Sequence, residues 1–148
     1  MKVPYFDLTR QYKYIGKEIE TNVIKSLRST QYSLGPEVEI FEKKYANYVT
    51  TNYCTGVNTG TSALHLALLA CGIGMGDEVI TVSMTFVASV MSISYTGAKP
   101  VFVDVCNDTQ LMNFEKLEKK ITSRTKAIVV VHLYGQCAEM YEIIKIAR

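Results

Sequence analysis

Two stretches in the second half of the chain are almost continuously apolar, VFVDV at 101–105 and AIVVVHL at 127–133. Strands that are covered by helices on both faces have this composition, because neither face meets water. Each stretch is followed by a segment whose apolar residues recur every three to four positions, which is typical of a helix. Alternating strands and helices indicate parallel strands joined by right-handed crossovers. The sequence therefore predicts an α/β fold, a three-layer sandwich around a mostly parallel sheet.

The same periodicities place the remaining elements. One helix, ALHLALLAC at 63–71, is apolar on nearly every side, which predicts deep burial. The predicted strands are 53–58, 78–82, 100–105 and 126–133. The predicted helices are 9–29, 36 to about 50–52, 63–71, 86–95, 113–121 and 140–148.

Composition excludes several classes of function. Hydrophobic residues make up 48% of the chain, and the net charge of +2 comes from interspersed acids and bases. No basic stripe is present, so nucleic acid is not an expected partner. The longest apolar run, 79–93, is interrupted by Thr and Ser, and the amino terminus has no apolar signal core, so we expect a cytoplasmic protein without membrane contact. The cysteines lack metal-ligand spacing, so we expect no metal, and reduced, buried thiols. They are Cys54, Cys71, Cys106 and Cys137.

The sequence Gly60-Thr61-Ser62 stands between a predicted strand and a predicted helix. A helix amino terminus offers free N–H groups and the positive end of the helix dipole, which suits a phosphate group. The same residues also suit an ordinary N-cap, in which a hydroxyl closes the helix on itself. From the pattern alone, both interpretations remain open.

Three segments are predicted at the carboxyl ends of strands, where parallel sheets bind their ligands. They are Gly60–Ser62, Ser83–Phe86 and His132–Gly135. Taken singly, Phe86 suits a core aromatic residue and His132 suits a hydrogen-bonded core histidine. The convergence of three such segments at one sheet edge favours a binding site.

Two other features have simpler interpretations. The GxGxG run at 72–76 follows a helix and precedes a strand, which is the reverse of a dinucleotide-binding fingerprint, so it predicts a helix-to-strand turn. Because the glycine run is in this reversed position, a general nucleotide-binding domain is disfavoured. Asp104, near the end of its predicted strand, is interpreted as a capping or turn residue.

Several motifs together carry a family resemblance. GVNTGTSALHLAL, GDEVITVSMTFVAS, GAKPVFVDV and RTKAIVVVHLYGQ occur in this order, preceded by GPEVEIFEKKYANY. From about Pro4 to Arg148 the chain resembles the DegT/StrS-type aminotransferases of nucleotide-sugar biosynthesis, which depend on pyridoxal 5′-phosphate (PLP). The resemblance implies that residues 36–148 form the N-terminal half of a PLP-dependent transferase large domain, and that residues 1–35 form an arm and helix ahead of it.

The resemblance also implies roles for individual residues. The GTS sequence falls where the family binds the PLP phosphate, and the aromatic residue of TF-x-A falls where a ring stacks on the pyridine. The HLYGQ segment, with Tyr134, lies close to the cofactor pocket. The arm around 7–12 and the loop around 32–35 help to shape a substrate site at a dimer interface. The implied cofactor-binding residues are Gly60, Thr61, Ser62, Phe86, Thr85 and His132.

The family's Schiff-base lysine and the aspartate at the pyridine nitrogen lie downstream of HLYGQ, so no catalytic residue is assigned in this chain. Lys99 and Lys126 are interpreted as solvated or structural. The chain ends within a helical pattern at KIAR. We expect this chain to be the N-terminal part of an enzyme in amino-sugar or polysaccharide biosynthesis. That enzyme moves an amino group, typically from glutamate, to a keto-sugar nucleotide, and we expect the N-terminal part to be inactive alone.

The resemblance leaves two alternatives: a PLP-dependent sugar dehydratase, and a non-catalytic remnant or interaction module. It further implies partners, either a second copy in a homodimer or a complementary second half. The predicted strand 53–58 resembles one that pairs with a late strand of the family fold. We therefore expect unpaired strand edges, which favour association.

Overall fold

Six α-helices, three β-strands and two short 3₁₀ turns form over residues 3–148, which a computed structural model describes. By internal contacts the chain divides into two compact units, one running through Gly56 and the other covering Val57–Arg148. The domain boundary after residue 35 stays a prediction. The helices are α1 (Thr9–Ser29), α2 (Pro36–Tyr48), α3 (Gly60–Ala70), α4 (Ala88–Tyr95), α5 (Phe114–Leu117) and α6 (Met140–Ala147). The strands are β1 (Glu78–Val82), β2 (Lys99–Val103) and β3 (Thr125–Ile128), and the 3₁₀ turns are Glu118–Lys120 and Leu133–Gly135.

The first unit consists of α1, α2 and their connections. The bounds of α1 agree with the prediction, and the helix ends where Thr30 turns left-handed at φ 57° and its N–H bonds to the Leu27 carbonyl. Helix α2 begins with Pro36, whose missing N–H costs nothing at a first helical position. Glu37 and Glu39 in its first turn complement the helix dipole.

The second unit is built on a three-stranded parallel sheet in the order β2-β1-β3. Ile80 of the central strand lies opposite Val101 on one side and Ile128 on the other. All five residues of β1 are buried, whereas β2 and β3 are only partly covered. The predicted parallel sheet is confirmed, and only its central strand has the full burial expected from the apolar runs.

Helices cover both faces of this sheet. On one face Ile80 belongs to a buried cluster with Leu117 and Ile143, from the α5 and α6 side. On the other face Val79 packs in a second cluster with Leu68 of α3 and Ile93 of α4. Alternate residues of β1 thus enter different cores, as the period of two in a strand requires. The predicted three-layer α/β arrangement is confirmed.

Several predicted elements differ from the structure where tertiary partners decide the outcome. Residues 53–58 are not a β-strand, since they pair with no described strand, and β3 ends at Ile128 instead of 133. The helix predicted at 113–121 is α-helical only to Leu117 before a 3₁₀ turn, and the helix predicted from 86 begins at Ala88. Helix α3 is not deeply buried, because its residues Leu66 and Leu69 are about half exposed at 50% and 46%.

The glycine run between α3 and β1 makes the predicted helix-to-strand turn. Gly72 and Gly76 have φ of 74° and 92°, a region that residues with a Cβ avoid. The Gly74 N–H donates to the Asp77 carboxylate at 3.0 Å, which holds the turn closed.

The cysteines correct another prediction. Cys71 and Cys137 are exposed, and Cys54 and Cys106 are half-buried, so none has the full burial we expected. Each sits at a helix end or in a connecting segment, outside the two apolar clusters. All four are free thiols.

At the amino end of the sheet, Glu78 places a carboxylate in the interior. Glu78 is 3% exposed, and its two carboxylate oxygens accept hydrogen bonds from the Thr122 hydroxyl at 2.7 Å and from Arg124 Nη2 at 2.6 Å. The hydrogen bond from Thr122, followed by that from Arg124, lowers the pKa of Glu78 below its ordinary value of 4.5. The pair ties the start of β1 to the segment that enters β3.

Between residues 3 and 148, the structure has no helix with the length and apolar character needed to cross a membrane.

Candidate functional site

The first turn of α3 is capped by the residue before the predicted GTS sequence. Thr59 has extended backbone angles, and its hydroxyl oxygen accepts the Ser62 N–H at 3.0 Å. The same hydroxyl donates to Ser62 Oγ at 3.0 Å. The Ala63 N–H is taken up by the Thr59 carbonyl. The N-cap interpretation is therefore confirmed, but the capping residue is Thr59, which the sequence analysis missed.

The cap leaves part of the helix terminus free. Within residues 3–148, the N–H groups of Gly60 and Thr61 have no hydrogen-bond partner. A Cβ built on Gly60 meets no atom within 4 Å, so the space beside its backbone is open. Free amides at the positive end of an 11-residue helix, next to open space, form a suitable place for an anion.

The second segment leaves the sheet at the carboxyl end of β1. Thr85 Oγ1 and Ser89 Oγ lie 2.9 Å apart in a hydrogen bond, and Ser89 is buried in the first turn of α4. Phe86 between them is 76% exposed, so the alternative of a core aromatic residue is wrong for this ring. The hydroxyl pair fixes the loop, while the ring of Phe86 is free to meet a ligand. Ser89 was also missed, although its spacing of four residues from Thr85 was a usable signal.

The third segment follows β3. The His132 side chain is exposed, and its Nδ1 accepts the Ala138 N–H at 3.1 Å. His132 is therefore hydrogen-bonded, as one interpretation of the sequence expected, but it does not belong to a core. Tyr134, two residues later, has a left-handed backbone with φ 54° and a side chain that is 94% exposed.

Helix packing brings the first two segments to the same edge of the sheet. Helix α3 ends at the turn that enters β1, and its Leu68 packs with Val79 near the start of that strand. Its 11 residues span about 16 Å, which matches about 17 Å for the five residues of β1. The first turn of α3 therefore reaches towards the carboxyl end of β1, where Phe86 begins the approach to α4.

The six predicted residues do not contact one another through hydrogen bonds within residues 3–148. Three of them are held instead by neighbours outside the set: Ser62 by Thr59, Thr85 by Ser89, and His132 by Ala138. A ligand that touched several of them would connect groups that the protein positions separately.

Asp104 follows the last residue of β2, where the structure has neither a turn nor a helix cap, and it forms an ion pair. Its carboxylate accepts the Val105 N–H at 3.1 Å and pairs with Lys116 Nζ at 2.9 Å. The hydrogen bond from Lys116, followed by that from Val105, lowers the pKa of Asp104. Lys99 and Lys126 are exposed, in agreement with the solvated role predicted for them.

Fold and site together define a class of protein. It is an α/β protein with an exposed aromatic ring in the loop after β1, a fixed imidazole in the segment after β3, and a partly free amino terminus on α3. The chain belongs to the DegT/DnrJ/EryC1/StrS aminotransferase family, whose sequence pattern matches residues 13–148.

Relatives and solved structures agree with this assignment. The chain is 47% identical over 146 residues to the dTDP-3-amino-3,6-dideoxy-alpha-D-galactopyranose transaminase of Aneurinibacillus thermoaerophilus, covering 99% of this chain and 40% of that protein. It resembles the crystal structure of DesV from S. venezuelae with a TM-score of 0.94 at 43% identity, covering 99% of this chain and 39% of that one. It resembles NtdA from Bacillus subtilis, solved with bound cofactor PMP, with a TM-score of 0.92 at 33% identity over 99% of this chain and 34% of that one. The chain spans about 40% of the length of the curated relatives it matches.

Proposed function

We propose that the predicted site residues bind the phosphate and the pyridine ring of PLP, in an aminotransferase that acts on a keto-sugar nucleotide. These residues are Gly60, Thr61, Ser62, Thr85, Phe86 and His132. The observation that carries this proposal is the start of α3, where the Gly60 and Thr61 amides are unpaired within residues 3–148 and the space beside Gly60 is open. Family membership supports the proposed reaction class, and the sugar-nucleotide transaminase at 47% identity supports the substrate class.

In this proposal each segment has a separate task. The amides of Gly60 and Thr61 bind the phosphate dianion, helped by the Thr61 hydroxyl and the dipole of α3. Ser62 is held by Thr59 and completes the turn. Phe86 supplies a flat apolar face on which a pyridine ring stacks. Thr85, tied to Ser89, keeps that ring at the rim of the site.

The cofactor, when bound, supplies an electron sink for the carbanion that amino transfer requires. PMP, present in the B. subtilis relative, is the amine form of the same cofactor. The residues described here bind and orient, and none of them is proposed to bond covalently to PLP. Lys99 at the start of β2 and Lys126 in β3 are both exposed. Neither adjoins the three segments in sequence.

We further propose that a lysine and an acidic partner for the ring nitrogen come from a polypeptide segment outside these 148 residues. The relatives' greater length supports this. A complementary second half would supply it, because a second copy of these residues in a homodimer lacks the same segment, and the chain alone would not transfer amino groups. The nucleotide sugar and an amino donor are the proposed ligands, and the cytoplasm is the proposed location.

Binding can be tested with pyridoxine 5′-phosphate, which has the ring and the phosphate but no aldehyde to react with a lysine. We expect this probe to bind the chain at least about tenfold more tightly than pyridoxine, because the phosphate adds charge-assisted hydrogen bonds. Gly60→Val fills the open space and should abolish this preference. Gly74→Ala, in the turn at the other end of α3, is the matched control. Equal binding of the two probes would overturn the proposal.

Activity can be tested by complementation. The chain is mixed with the part of the A. thermoaerophilus transaminase that lies beyond the aligned region, and amino transfer to a keto-sugar nucleotide is followed. Activity that requires both polypeptides supports the proposed function. A pair that associates and binds PLP without amino transfer argues against it.

A further inference from the structure

The side chain of His132 closes the turn that begins at this residue. Its Nδ1 accepts the backbone N–H of Ala138, six residues later, at 3.1 Å. The enclosed segment also has two backbone bonds, from the Gly135 N–H to the His132 carbonyl and from the Gln136 N–H to the Leu133 carbonyl, both at 3.1 Å. It contains two consecutive left-handed residues, Tyr134 at φ 54° and Gly135 at φ 84°.

The far end of this turn is anchored in the core. Ala138 is buried in the same apolar cluster as Ile80 and Leu117. Its carbonyl accepts the Met140 N–H at 2.7 Å, at the start of α6. The direction of the Ala138 N–H is therefore set by a packed residue, so the imidazole is held by the core although the side chain itself is exposed.

The contact also fixes the protonation of the ring. A backbone N–H is only a donor, so Nδ1 must be an unprotonated acceptor, and the neutral ring then carries its proton on Nε2. A ligand at this edge of the sheet meets a donor and no free lone pair. A proton-accepting role for Nδ1 is incompatible with its bond to Ala138.

We infer that His132 is a positioning residue, locked in the Nε2–H tautomer, which holds the turn that carries Tyr134. Left-handed backbone at a tyrosine costs free energy, and it persists only where the surroundings enforce it. The bond from Ala138 to His132 provides that constraint. Any effect of this turn on cofactor binding rests on the proposed function, whereas the tautomer and the turn do not.

The tautomer can be measured in the full chain without any ligand. The sequence has two histidines, His65 and His132, so a long-range ¹H–¹⁵N spectrum contains two imidazoles, and the His132→Asn variant assigns them. At pH 8 we expect the His132 ring to show a protonated Nε2 and an unprotonated Nδ1. A protonated Nδ1, or rapid averaging between the two tautomers, would overturn the inference.

The positioning role is tested by amide exchange of Ala138. Asn Oδ1 occupies the place of Nδ1, so His132→Asn should keep the Ala138 amide as protected as in the parent chain. His132→Ala should speed its exchange by about tenfold, because one hydrogen bond is lost. Unchanged exchange in His132→Ala would contradict the inference. Because no cofactor is present, failure of the PLP proposal would leave this result standing, and the reverse also holds.

Discussion

The ring of His65 in α3 meets the ring of Tyr95 in α4 edge to face, with centroids 5.7 Å apart and an interplanar angle of 66°. The contact joins the helix that begins at the candidate phosphate site to the helix that follows the Phe86 loop. It therefore helps to hold the two segments of the proposed site in a fixed relation. No periodicity in the sequence indicated this pair.

Tyr95→Leu should weaken the contact between α3 and α4. Aromatic pairs contribute about 0.5–1.5 kcal/mol beyond burial, so we expect the free energy of unfolding to fall by about 1 kcal/mol in urea. Binding of pyridoxine 5′-phosphate should weaken in parallel. Tyr141→Leu, on the exposed face of α6, is the control and should change stability by less than about 0.5 kcal/mol. Equal effects of the two substitutions would show that the aromatic contact does not stabilise the fold.

Thr59→Ala should destabilise the start of α3. The substitution removes the oxygen that accepts the Ser62 N–H, and loss of such a cap costs about 1 kcal/mol. Urea denaturation measures the loss. Thr59→Ser retains the oxygen and should restore most of the stability, so a serine variant as weak as the alanine variant would contradict the capping role.

Glu78→Gln should make stability less dependent on pH. The folded-state pKa of Glu78 is lowered by Thr122 and Arg124, so its ionised form stabilises the fold above its ordinary pKa of 4.5. That contribution disappears as the pH falls through the lowered value. The parent chain should therefore be more stable than Glu78→Gln at pH 7, and the difference should shrink below pH 4.5, as thermal melts at several pH values can show.

Asp104→Asn is the matched control for this pH effect. Asp104 also has a lowered pKa, but its ion pair with Lys116 is exposed, and such pairs contribute little. Its substitution should change the melting temperature less at every pH. A larger effect at Asp104 than at Glu78 would mean that burial is not the deciding factor.

Leu117→Ala should be among the most damaging core substitutions. Leu117 is fully buried in the cluster on the α5 and α6 face of the sheet, and such a truncation costs about 2–5 kcal/mol. Leu66→Ala, on the half-exposed face of α3, removes the same atoms and should cost far less. Chemical denaturation of the two variants compares them directly, and similar losses would place the core elsewhere.

The sequence predicted best where local signals decide the structure. The apolar spacing in α1, the Pro36 start of α2 and the glycine turn before β1 all appear as predicted. The parallel direction of the strands followed from the alternation of strands and helices, whereas their order β2-β1-β3 was not predicted. Each of these depends on backbone preferences or periodicity within a few residues.

Predictions failed where a partner was needed. Residues 53–58 have strand-like composition but no neighbour to pair with, and α3 is apolar but only partly covered. For the candidate site, the sequence proposed residues but did not indicate the neighbours that hold them. Thr59, Ser89 and Ala138 hold the predicted groups through contacts that composition does not reveal.

The two outer edges of the sheet differ in how they resist association. Strand β2 begins with Lys99 and Pro100, and both residue types discourage the addition of a strand. The outer strand β3 continues into half-buried valines at 129–131 and borders a groove of about 440 Å³ between the strand and α6. The groove is lined mainly by aliphatic side chains, including Ile128, Val130, Ile143 and Ile144.

We therefore predict that the purified chain self-associates through the β3 edge. Sedimentation velocity should show species larger than the monomer that increase with concentration. Ile144→Lys places a charge at the groove, where Ile144 is 44% exposed, and should shift the chain towards monomer. Tyr141→Lys, on the same helix but outside the groove, should leave association unchanged. A parent chain that sediments as a monomer and melts cooperatively would refute the prediction, since it would show that the chain is stable with the β3 edge unpaired.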